Sequence, residues 1–80
     1  MNDTLLKMIF RMDKNETSLF YFFLESRDNL CFYSTLPFEK GQQWREVVTY
    51  CTPSLIDLFK GTIKHMGKTI NFEIMQEETV

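Results

Sequence analysis

A chain of 80 residues leaves room for one hydrophobic core and excludes a second domain. Hydrophobic residues at 44% and charged residues at 25% mark a globular domain rather than a disordered or fibrous chain. The formal net charge is −2 and the nine basic residues are scattered, which argues against nucleic-acid binding, where neutralising phosphates supplies most of the affinity.

Along the chain, Leu5 to Met12 alternates, with Leu6, Met8, Phe10 and Met12 on one side and Lys7, Ile9 and Arg11 on the other. That period of two predicts a strand with one buried face. Asp13, with Glu16 three residues on, is a helix-start signal. The helix is expected to reach about Arg27, burying Leu19, Phe20, Phe23 and Leu24 and turning Tyr21 and Glu25 outward. Leu30 to Leu36 is rich in β-formers and reads as the second strand, with Leu30, Phe32 and Leu36 inward and Cys31, Tyr33 and Thr35 outward. Pro37 through Gln43 is a hairpin loop, and Trp44 to Cys51 is the third strand. Its Val47-Val48 pair cannot both face the core of a one-sided sheet. Thr52-Pro53 opens a second helix, since Pro at the first helical position gives up no needed N–H bond. Leu55, Phe59, Thr62, Ile63 and Met66 form its buried stripe, Gly61 sits unexplained in its interior, and Gly67 is the expected stop. Thr69 to Gln76 is the last strand, with Ile70, Phe72 and Ile74 inward and Met75 outward; residues 77–80, which include Glu77 and Glu78, are expected as a flexible tail. The start Met1-Asn2-Asp3-Thr4 lacks the positive region of a secretory signal, and no apolar run approaches a membrane span. The expected compartment is the cytoplasm, with no membrane partner, and Cys31 and Cys51, without CxxC spacing, are expected as reduced thiols.

Strand, helix, strand, strand, helix, strand in one small domain predicts an α+β ferredoxin-like βαββαβ sandwich over residues 1–80. Right-handed crossovers give a four-stranded antiparallel sheet of order 4-1-3-2 with both helices on one face. The other face is open, and the outward residues Ile9, Tyr33, Val47 and Met75 make it more apolar than solvation requires. They are the candidate self-association surface. An RNA-recognition module of this topology stacks bases on aromatics of its central strands; the expected open-face residues there, Lys7, Ile9, Arg11, Val47 and Thr49, offer none. If the hairpin centres on Gly41, Cys31 faces Cys51, Tyr33 faces Thr49 and Thr35 faces Val47. His65 on the second helix has no catalytic partner in view, and no phosphate-binding, dinucleotide or metalloprotease motif occurs. No catalytic residue, metal ligand or cofactor is assigned.

The stretches Arg11-Met12-Asp13, Phe23-Leu24-Glu25-Ser26 and Tyr33-Ser34-Thr35-Leu36 resemble a family of short bacterial proteins of unknown function with an ACT-like layout. ACT-like modules are small regulatory or dimerising domains. The resemblance implies a ligand loop at Asp13 and Asn15, although Lys14-Asn15-Glu16 stands where amino-acid-binding ACT domains carry a glycine-containing turn. The acylphosphatase branch is discounted, because its glycine-rich loop ending in Phe-Arg is missing. The functional expectation is a non-enzymatic binding or regulatory module that pairs with itself as a homodimer, through the open sheet face or through a strand edge such as Leu30 to Leu36. The alternatives are an accessory domain docking on an unidentified larger protein and, more remotely, a small-molecule sensor of ACT type.

Overall fold

The computed structural model describes residues 4–27 and 29–80. β1 (Leu6–Asp13) runs into a 3-10 turn (Lys14–Glu16) and helix α1 (Thr17–Glu25). β2 (Phe32–Thr35) and β3 (Trp44–Cys51) form a hairpin. A 3-10 turn at Pro53–Leu55 leads to α2 (Ile56–Met66), and β4 (Phe72–Thr79) completes the domain. The sheet order is β2-β3-β1-β4, all antiparallel, as the element order predicts.

The junctions have local causes. The Asp13 carboxylate accepts the Asn15 N–H at 2.8 Å, which holds the turn into α1. At α2 the Thr52 carbonyl, rather than its side chain, accepts the Leu55 N–H at 3.0 Å. Gly67 caps α2 in a right-handed conformation, φ −62°, so its freedom to adopt positive φ is not used. Gly41 does use it: φ is +88° at the tip of the β2–β3 loop.

One side of the sheet presents Leu6, Met8, Phe10 and Met12 from β1 and Val47, Thr49 and Cys51 from β3, all buried under Phe20 and Leu24 of α1 and Phe59, Ile63 and Met66 of α2. Leu30 and Ile70, just outside the strands, close the core at its ends. Phe10, Phe20 and Phe72 form an aromatic triad with centroids 5.2 to 6.0 Å apart, Phe72 meeting both other rings edge-on while Phe10 and Phe20 are tilted at 55°. The buried Thr49 hydroxyl donates to the Met8 carbonyl at 3.0 Å, so the one polar side chain of this layer is satisfied.

Four expectations are corrected. First, Val47, Thr49 and Cys51 lie directly opposite Phe10, Met8 and Leu6, and residues paired across a ladder share a face. They are therefore under the helices, and their hairpin partners Tyr33 and Thr35 are too. Phe32 is the outward residue, 71% exposed. Val47 and Val48 are both buried nonetheless, on opposite faces, because the neighbouring strands also shield Val48. Second, α1 is rotated from the expected stripe: Tyr21 is half-buried against β2, while Leu19 and Phe22 are exposed. Third, residues 77–79, expected in a flexible tail, are the end of β4, and Leu5 and Val80 exchange both backbone hydrogen bonds just beyond it. Fourth, β4 begins at Phe72 and is bulged. Ile9 pairs with Gln76 but Phe10 with Ile74, which leaves Met75 as the extra residue. Past the bulge the faces exchange parity, so Glu77 comes to the helix side and reaches Lys60 of α2 at 3.0 Å. Ile74 faces the helix side yet is 49% exposed, at the margin of this edge strand.

Candidate functional site

The uncovered side of the sheet is built in rungs. Pairing places Phe32, Tyr50, Lys7 and Glu78 on one rung and Ser34, Val48, Ile9 and Gln76 on the next. Glu46, Arg11 and Glu73 form the third, and Trp44 and Asp13 the last. The face thus carries an aromatic corner at Phe32 and Tyr50, an aliphatic centre at Ile9 and Val48, and a polar-aromatic end at Arg11 and Trp44.

That end is tied together by Arg11. Arg11 donates to Glu46 Oε2 from Nη2 at 2.8 Å and from Nε at 3.1 Å, and its guanidinium lies 4.1 Å from the Trp44 ring centroid. Cation–π stacking and the charge-assisted bonds hold one geometry together. Around it lies a cleft of about 550 Å³ lined by Arg11, Met12, Asp13, Gln43, Trp44, Asn71, Phe72 and Glu73. It forms where the C-terminal end of β1 meets the N-terminal ends of β3 and β4. Its acids, Asp13 and Glu73, outnumber the one guanidinium, which Glu46 already neutralises.

Of the residues predicted from the sequence, Ile9 is on the open face and Asp13 lines the cleft. Met75 is exposed at the bulge. Tyr33 and Val47 are not surface candidates. Val47 is fully buried, and Tyr33 stacks on Tyr21 while donating its hydroxyl to Glu25. Asn15 contributes its backbone N–H to the turn and is absent from the cleft lining. Phe32, Tyr50, Val48 and Trp44 were missed, because the signal that places them outward is the β1–β3 pairing, which no local pattern encodes.

Cys51 is buried and Cys31 half-buried. Burial, and secondarily the neighbouring Cys51, pushes Cys31 from 9.0 up to about 12; burial raises Cys51 as well. Among the described residues no group of three acidic, histidine or cysteine side chains is placed to hold a metal, and no helix is long and apolar enough to cross a membrane.

No protein-family model matches this sequence, and no curated protein sequence matches it. Solved structures do. CPII, a nitrogen regulatory PII-like protein from Thiomonas intermedia K12, bound to ADP, AMP and bicarbonate, superposes with a TM-score of 0.61 at 9% identity over 96% of this chain and 90% of that one. A second structure of that complex gives a TM-score of 0.58 at 8% identity, covering 96% and 92%. The same protein bound to ADP, AMP and acetate gives 0.55 at 8%, covering 98% and 89%. At such identity the likeness establishes the ferredoxin-like fold and nothing finer.

Proposed function

We propose that this chain is a non-enzymatic regulatory module of the cytoplasm whose copies associate through the open sheet face. The observation that carries the reading is Phe32, 71% exposed on a rung with Tyr50 and flanked by Ile9 and Val48. A small domain gains buried apolar area by covering such a face with its own copy. The regulatory neighbours of the same fold support the class. Phe32→Glu is the test, because a carboxylate placed in the contact must be desolvated or must break it. Sedimentation should show loss of the oligomer and circular dichroism an unchanged fold. A parent chain that sediments as a clean monomer removes the reading and favours the accessory role on a larger partner. A Phe32→Glu chain that stays associated moves the contact off this face.

The cleft beside Trp44 favours a second, compatible reading, in which the module responds to a small ligand. The fold neighbours bind ADP and AMP. Here the acidic lining suits a neutral or cationic molecule better than a phosphate, so the neighbours' ligands do not transfer with the fold. Titration of the tryptophan fluorescence with AMP, and separately with small organic amines, tests this. The lining predicts a response to the amines. A response to AMP alone would reverse the charge argument, and a flat signal with both would remove the reading.

A further inference from the structure

The register of the hairpin ladder, carried one residue past the start of β2, sets the two cysteines opposite each other. Phe32 pairs with Tyr50, Tyr33 with Thr49, Ser34 with Val48 and Thr35 with Val47. The next rung outward in that register is Cys31 with Cys51. Its type follows from the other end of the ladder. The Leu36 N–H donates to the Glu46 carbonyl at 2.8 Å, which makes that rung a hydrogen-bonded pair. Bonded and non-bonded pairs alternate, so 34/48 and 32/50 are bonded, while 35/47, 33/49 and 31/51 are not. Non-bonded antiparallel pairs have the shorter Cα separation, about 4.5 Å, and the closer side chains, inside the range a disulfide spans. Both thiols lie on the helix side: Cys51 is in the core, and the half-buried Cys31 packs against that core.

We propose that Cys31 and Cys51 are a modification site that closes to a cross-strand disulfide, with a low-molecular-weight disulfide such as oxidised glutathione as oxidant. Cys31, the partly exposed thiol, attacks one glutathione sulfur and releases the first glutathione. Cys51 then attacks the Cys31 sulfur of the mixed disulfide and releases the second. Two protein S–H bonds are replaced by one S–S bond, and the two electrons and two protons end on two glutathione thiols. Burial keeps both cysteines protonated at rest, which fits their being reduced until the oxidant is abundant. The bond ties β2, a strand of only four residues at the sheet edge, to β3, and so fixes the adjoining rung of Phe32 and Tyr50.

The protein is incubated with oxidised glutathione, alkylated, and weighed intact. The expected product is a single chain lighter than the reduced form by two hydrogens. Tryptic peptides 28–40 and 46–60 should be joined, and the melting temperature should rise by ~5–15 °C, returning to the parent value with dithiothreitol. Cys51→Ser should stop at a glutathione adduct on Cys31. Because Cys51 is buried and that variant can fail to fold, Cys31→Ser is the second arm; it should remain unmodified at Cys51 while folded. An unreactive parent chain, a persistent glutathione adduct, or a bond between two chains overturns the proposal. None of these outcomes depends on whether the chain self-associates.

Discussion

Tyr33 of β2 lies nearly flat on Tyr21 of α1, with ring centroids 4.9 Å apart and planes 24° from parallel. Its hydroxyl donates to the Glu25 carboxylate and the Tyr21 hydroxyl meets that of Thr35, so α1 is latched to the edge strand at two points. The bond to Glu25, then burial and the negative charge of Glu25, push the Tyr33 hydroxyl from 10.0 up to about 12. The folded state therefore holds this proton more tightly than the unfolded state. The stability it contributes is complete below pH 10.0 and is lost as the pH rises through about 12. Cys31 titrates over an overlapping window, from 9.0 to about 12, with the same sign. Melts over this alkaline range in a Cys31→Ser background isolate the tyrosine. Tyr33→Phe should flatten the alkaline decline, and an equal decline in both chains would show that the latch is not made in solution.

Phe59 is fully buried between α2 and the sheet. Phe59→Ala removes a large core side chain and should cost about 3–5 kcal/mol. That is most of the ~4–8 kcal/mol expected of a domain this small. Urea unfolding should show a midpoint near zero or a chain already unfolded. A midpoint within a few tenths molar of the parent would mean that α2 does not pack as described.

Gly61 lies in the interior of α2, and a Cβ built there meets nothing within 4 Å. Gly61→Ala should therefore stabilise the domain by about 0.5–1 kcal/mol, by removing freedom from the unfolded chain. Gly41→Ala should do the opposite, costing about 1 kcal/mol or more, because φ there is +88° although space is equally open. Thermal denaturation of the pair separates backbone conformation from crowding; two shifts of the same sign would contradict it.

The order of elements, the strand β3 and the hairpin register were legible, because turn residues and apolar periods are local signals. Tyr33 does face Thr49, and Thr35 does face Val47. Which side those rungs face was not legible. Phe32 and Tyr33 are adjacent aromatics, and Val47 and Val48 are adjacent valines, so shifting either strand's assignment by one residue leaves an apolar residue inward. Only pairing with Met8 and Phe10, some forty residues away in the chain, decides it. The bulge at Met75 broke the period of β4 in the same way, hiding Glu77 on the helix side and extending a strand into what read as a tail. Of the cleft, Asp13 was visible as a junction residue. Trp44 and Phe72 were not, since they join it only where the ends of three strands converge.

β1 occupies the middle of the sheet, hydrogen-bonded to β3 on one edge and β4 on the other, yet it is the earliest strand in the chain. Synthesis therefore delivers Leu6, Met8, Phe10 and Met12 before either of the strands that pair with β1 in this sheet. The first partner arrives only with residues 44–51 and the second only with residues 72–79. The contacts that define the sheet are thus mostly distant in sequence, a topology that folds slowly for its size. Until β4 pairs, one edge of β1 is open to a neighbouring chain, so the exposure to aggregation lasts until the last strand to be made has docked.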